Sequence, residues 1–198
     1  ESLRHLATGP DDPRWSKARR LLEEAEKWAS EYPHATALAE ILYEKAKLAE
    51  AEGQVGDGSR LLKKCLQAAH VSRHYMLVAI AENRLFWNSE SFSSERWQEI
   101  EQALSQFSYH GWAVRTLMNS RLRVARILEE AGDLPGALCQ LEANLADLDR
   151  NPALDRAQGD RARIVETMAG LQIIGQKMAS RTSTWEEFKE YPWAEEWL

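Results

Sequence analysis

One pattern constrains this chain more than any other. Ala18, Leu22, Ala25 and Ala29 follow one another at steps of four, three and four residues, and Pro33 comes four later. The same spacing returns in Gly58, Leu62, Cys65, Ala69 and Arg73. It returns again in Arg96, Ile100, Ala103, Phe107 and Gly111, and in Ala137, Leu141, Asn144, Leu148 and Pro152. Steps of three and four place side chains on one face of a helix. The four sets begin at Ala18, Gly58, Arg96 and Ala137, which are 40, 38 and 41 residues apart. An interval of that length holds a pair of helices. Pairs that recur at a near-constant interval bury their apolar faces against one another. Small residues (Ala18, Gly58 and Ala137, then Ala25, Cys65 and Ala103) mark positions where two helices approach closely. Pro33, Gly111 and Pro152 stop their helices. Arg73 is no breaker, and Arg96 and Asn144 depart from the small-residue rule.

The rest of the chain reads as helix. The spacing predicts helices over about 13–32, 34–52, 55–71, 73–87, from the Ser93-Ser94 cap through Phe107, over 111–131 with Gly132-Asp133 as its stop, through Ala137, Leu138, Leu141, Leu145 and Leu148 to just before Pro152, and over 153–180 with a break near Gly159. Trp28, Trp87, Trp97 and Trp112 fall on or beside apolar stripes, which points to packing. No run alternates apolar and polar residues as a strand would. The expectation is an all-α fold.

Composition removes several function classes. The 198 residues carry a formal net charge of −6, which disfavours a general nucleic-acid binder, since that needs a basic face to displace counterions. No stretch approaches the roughly 20 apolar residues of a membrane span. Two cysteines, Cys65 and Cys139, cannot build a disulfide framework, so a reducing, cytoplasmic setting is expected. The chain begins at Glu1 without a signal-peptide pattern, which reads as a piece of a longer protein.

The run Ala131-Gly132-Asp133-Leu134-Pro135-Gly136-Ala137, followed by Leu141 and Leu145 and preceded by Ala125, resembles the tetratricopeptide (TPR) repeat. Ala46, Gly53, Gly58, Leu62 and Cys65 match the same pattern. The match covers roughly residues 38–73 and 117–152. The interval near 40 is longer than the usual length of about 34, and is similar to the long TPR-like repeats of signalling ATPases and cargo adaptors. The resemblance implies a TPR-like α-solenoid of about four antiparallel helix pairs over residues 1–182. It also implies a concave groove lined by the first helix of each pair. In that register Asn119, Leu122, Arg123 and Arg126 face the groove, and Tyr43 occupies it in an earlier repeat beside Glu40, Glu44 and Lys47. The family's Lys, Asn and Arg carboxylate clamp is not reproduced.

Arginine forks two hydrogen bonds to a carboxylate. The expected ligand is therefore a protein or peptide, acidic in character, captured along Asn119, Leu122, Arg123 and Arg126 with Tyr43 as a neighbour. The expected function is a protein–protein interaction or sensor module. Two rival classes are a structural spacer without a ligand, and an enzyme or small-ligand receptor with a pocket between helices. No Gly-rich phosphate loop, nucleophile elbow or zinc-protease helix occurs, so no catalytic residue and no cofactor are expected. Cys65, His70 and His74 lie close in sequence but lack further ligands at matched spacing, so no metal is expected. Residues 183–198 differ from the rest. Trp185, Phe188, Tyr191, Trp193, Trp197 and Leu198 stand among five glutamates and one lysine. The segment reads as a cap for the last apolar face, or as a docking motif.

Overall fold

The structure, a computed structural model, describes residues 13–31, 34–89, 91–154 and 159–181. Among them every regular element is helical. The chain divides into two compact units, Glu1–Gln106 and Phe107–Leu198.

The first unit holds α1 (Pro13–Glu31), α2 (Ala35–Ala51), α3 (Val55–Val71), α4 (Tyr75–Trp87) and α5 (Ser94–Ser105). Each helix packs on the next, and α2 also touches α4. The second unit holds α6 (Gly111–Glu130), α7 (Leu134–Arg150), a 3-10 turn (Pro152–Leu154) and α8 (Gly159–Arg181), with α7 packed between α6 and α8 in chain order. The expected boundaries agree to within about two residues for most helices. The break near Gly159 is where α8 begins, while Gly170 lies inside that helix. None of the helices in the described residues is long and apolar enough to cross a membrane.

Three connections share one design. At the ends of α2, α3 and α6 a residue takes the left-handed conformation: Gly53 (φ 82°), Arg73 (φ 56°) and Gly132 (φ 85°). In each case the next residue's N–H reaches back five residues: Gln54 to the Ala49 carbonyl, His74 to Ala69 and Asp133 to Leu128. The left-handed residue itself donates to the carbonyl three before it. These are Schellman motifs. The residue after each left-handed one is the N-cap of the following helix. Asp133 caps α7 by accepting the Gly136 N–H at 2.9 Å, and a Cβ on Gly136 would meet that carboxylate at 2.4 Å. The sequence shows no stop signal at Arg73. The stop is nevertheless made, by an arginine held where glycine is favoured.

His34 and His74 stand 40 residues apart as N-caps of α2 and α4. In each the ring Nδ1 accepts a backbone N–H at 3.2 Å, from Ala37 and Leu77 respectively. His110 is the N-cap of α6, without a side-chain bond. These histidines recur with the helix-pair interval as caps.

The inward stripes follow the sequence pattern in two of the four sets. Gly58, Leu62, Cys65 and Ala69 are buried, and so are Ala137, Leu141, Asn144 and Leu148. Asn144 lies inward with its Nδ2 donating to the Met118 carbonyl at 3.0 Å, while its Oδ1 is buried without a hydrogen-bond partner. The α5 set is rotated by one residue. Trp97, Ile100 and Leu104 are buried, while Arg96 is exposed and paired with Glu99 at 2.6 Å. An arginine cannot take an apolar inward site when a tryptophan beside it can. Trp97 joins Phe86 and Trp87, with ring centroids 6.4 and 6.2 Å away. Trp28 departs from the packing expected of it and is 55% exposed.

The tightest contact in the first unit is α2 against α3. A Cβ on Gly58 would lie 2.6 Å from Glu50 Cγ and 3.2 Å from the Ala46 carbonyl oxygen. Glu50 cannot easily yield, because Arg84 Nε and Asn88 Nδ2 donate to it at 2.5 and 2.6 Å. Helix propensity favours alanine over glycine by about 1 kcal/mol, and the clash opposes it. Gly58→Ala is expected to destabilise by on the order of 1 kcal/mol net. Gly56→Ala in the same helix, where a Cβ meets nothing within 4 Å, is expected to stabilise by up to about 1 kcal/mol. Urea unfolding of the two variants separates packing from propensity. Arg73→Gly is expected to raise stability by about 0.5–1 kcal/mol, since the left-handed conformation costs an L-residue roughly 1–2 kcal/mol. An unchanged denaturation midpoint for Arg73→Gly would show that the turn is not strained.

Candidate functional site

α6 supplies most of the residues expected to meet a partner. It starts after His110 and runs for twenty residues, with Ala113, Val114, Leu117, Met118, Val124 and Ala125 buried. Val114, Met118 and Ala125 join one apolar core with Leu134, Ala137, Leu141 and Leu148 of α7 and Ile164 and Leu171 of α8. That core fixes the rotation of α6, and the rotation sorts its four arginines.

Arg121 falls inside. It is 7% exposed, and its Nη1 donates to Asp147 Oδ2 at 2.6 Å. Asp147 is itself 4% exposed and also accepts from Arg150 at 2.8 Å. Arg115 is half-buried. Its Nη2 donates to the Leu154 carbonyl at 3.2 Å, and its Nη1 lies 4.0 Å from Asp160. Both arginines hold the second unit together.

Arg123 and Arg126 point outward and are exposed, as is Asn119. The three stand at i, i+4 and i+7, one row along the helix surface. Leu122 borders the row, half-buried against the core. Arg126 Nε donates to Glu130 Oε1 at 3.2 Å, with side-chain exposures of 79% and 67%. A pair this exposed, four residues apart, contributes about 0.3–0.5 kcal/mol. An incoming carboxylate can displace it at little cost.

Tyr43 belongs to the first unit, whereas the other four residues belong to the second. Its ring is 4% exposed, with Lys47 Nζ 5.5 Å and Arg84 Cζ 5.9 Å from the centroid. Burial pushes its phenol above the ordinary value, and the Arg84 guanidinium opposes that shift. Lys47 in turn donates to both oxygens of Glu44 at 2.6 and 2.8 Å. The outer part of this α2 face is carried by Glu40, which lies 3.9 Å from His74 Nε2. Tyr43 thus packs between cations, with little surface to offer a ligand.

The remaining sequence candidates take structural places. Cys65 is buried in the α3 stripe, and burial pushes its thiol up to about 12, so it stays protonated at neutral pH. Among the described residues no three His, Cys, Asp or Glu side chains are grouped to hold a metal ion. The aromatic tail lies outside the described residues.

Two features escaped the sequence reading: the Arg121–Asp147 pair, and the Glu50–Arg84–Asn88 cluster joining α2 to α4. A signal existed for the first. Arg121 lies four residues from Leu117 and Ala125, within the apolar stripe, and Asp147 sits between the inward residues Asn144 and Leu148.

Comparison with protein families, with curated proteins and with solved structures finds no match to this chain. The functional reading therefore rests on the geometry of α6.

The two classes of arginine are expected to separate in stability measurements. Arg121→Ala leaves Asp147 buried beside Arg150 alone, and should cost on the order of 3 kcal/mol. Arg126→Ala should change stability by no more than about 0.5 kcal/mol. Chemical denaturation of both variants tests the division; equal losses would contradict it.

Proposed function

We propose that this chain is an intracellular protein–protein interaction or sensor module, built as a TPR-like α-solenoid of about four antiparallel helix pairs. It acts by binding, without catalysis or cofactor. Its partner is an acidic peptide or helix laid along the outer row of α6. Arg123 and Arg126 fork hydrogen bonds to partner carboxylates, Asn119 donates to or accepts from its backbone, and Leu122 offers the apolar edge. The observation that supports this reading is the sorting of the α6 arginines. Arg115 and Arg121 are engaged inside the unit, while Arg123, Arg126 and Asn119 stand in one exposed row. The repeated Schellman turns and the buried small residues at Gly58 and Ala137 support the repeat architecture.

The competing reading is a helical spacer with no ligand. The Arg126–Glu130 contact favours it, since a helix can satisfy its own exposed charge. A peptide array of acidic sequences, followed by titration calorimetry on the best binder, decides between them. The Arg123→Ala/Arg126→Ala double variant is expected to weaken binding by about two- to thirtyfold, because exposed arginine–carboxylate pairs contribute about 0.2–1 kcal/mol each. Circular dichroism of the variant should be unchanged. Unchanged affinity in the double variant would remove α6 from the site. Absence of any binder for the folded chain would assign it to the spacer class.

A further inference from the structure

α3 carries a basic face. Arg60, Lys63, Lys64, Gln67, His70 and Val71 fall within about 120° of arc at about 100° per residue, and all six are exposed. Arg73, also exposed, continues the row into the turn. The one acid on this helix, Asp57, pairs with Arg60 at 3.0 Å. Among the described residues the side chains of Lys63, Lys64, His70 and Arg73 make no hydrogen bond or ion pair. The helices packed on α3 hold carboxylates, but these lie beside other cations. On α2, Glu40 lies by His74, Glu44 by Lys47, Glu50 by Arg84 and Glu52 by Arg19. On α4, Glu82 lies 3.8 Å from Arg96. Lys63, Lys64 and Arg73 are therefore uncompensated cations on a chain of net charge −6.

Arg73 is the most informative member of the row. Two of the three left-handed helix ends use Gly53 and Gly132, which take that conformation without strain, while the third uses Arg73 at φ 56°. Its side chain makes no polar contact within the fold to offset that strain. A strained residue with an unengaged side chain points to a role for that side chain outside the fold. The surface also has an apolar end. Val71, 78% exposed, and Tyr75, 59% exposed, flank the turn on either side of Arg73.

We propose that the α3 face from Lys63 to Arg73 docks a short acidic segment of a partner protein. The segment's carboxylates meet Lys63, Lys64 and Arg73, and an apolar side chain at its end meets Val71 and Tyr75. Lys63 to Arg73 spans about 15 Å at about 1.5 Å per residue, the length of about five extended residues. Charge favours a short peptide over a nucleic acid here. A net charge of −6 repels a long polyanion wherever it runs past the row, whereas a segment of this length meets the row alone. The surface lies in the first unit and shares no residue with the partner row on α6, so either can fail without the other.

The test is an NMR titration of the isotope-labelled full chain at low salt. The probe is a hexapeptide of four glutamates followed by leucine and phenylalanine. Amide signals of residues 60–75 are expected to shift and saturate, and signals of residues 119–126 report the α6 row separately. The Lys63→Ala/Lys64→Ala variant, at exposed sites where helix propensity does not suffer, is expected to weaken binding about two- to thirtyfold, as the loss of two exposed ion pairs does. Arg73→Gly should weaken it up to about fivefold while raising the urea midpoint, so the loss of binding cannot come from unfolding. No movement at residues 60–75, or an affinity unchanged in either variant, would overturn the proposal. So would tighter binding of a uridine hexanucleotide than of the peptide, which would assign the row to nucleic acid.

Discussion

Much of this structure depends on a turn that takes three residues. α2 to α3, α3 to α4 and α6 to α7 are each joined through a left-handed residue whose successor already caps the next helix. A connection this short leaves the second helix no course but to run back along the first. The helices are then pressed together near the turn, and the side chains there must be small. Gly58 over Ala46 in the first unit, and Ala125 and Ala137 buried in one core in the second, meet that demand. At Gly58 there is no room even for a methyl group without moving Glu50.

Close packing has a second consequence, for polar groups. Once α6 and α7 are brought together, any charge on their facing surfaces loses its water and must find a partner. Arg121 and Asp147 supply each other, and Asn144 spends its amide on a carbonyl of α6. In the first unit Glu50 is similarly held by Arg84 and Asn88. Such pairs add little net stability over an apolar core, but misplacing one is costly, so they favour one rotation of each helix. That rotation leaves Arg123 and Arg126 outside. Two residues separate Arg121 from Arg123, about 200° around the helix, and that angle divides a core residue from a surface one.

The helices were legible in the sequence because their punctuation is local. Gly53, Gly132, Asp133 and Pro135 state their roles through backbone preferences that need no tertiary context. The all-helical class followed from spacing alone. Arg73 was not legible, because its left-handed backbone is imposed by the two helices it joins. In α5 the repeat superposition put Arg96 inward, while Trp97, on the helix's own apolar stripe, was legible as a packing residue. The candidate site was half legible. The exposed row Asn119, Arg123 and Arg126 came from register, but the sequence assigned no different role to Arg121, since charge reads the same inside and out. Tyr43 was read as a neighbour of the groove, yet its ring is enclosed by Lys47 and Arg84, which stand four residues and two helices away from it in the chain.

The surface of α6 also limits how a partner could be held. Two arginine–carboxylate pairs on an exposed face contribute about 0.4–2 kcal/mol together. Micromolar binding needs about 8 kcal/mol. Charge alone therefore falls short, and the remainder must come from apolar contact. Along this row Leu122 is the residue placed to provide it, at the edge where the exposed charges meet the core. The arginines would then govern the rate of encounter and the choice of an acidic partner more than the strength of the complex. A ligand suited to this face would thus combine carboxylates with an apolar side chain one helical turn away, and a uniformly acidic chain would bind it weakly.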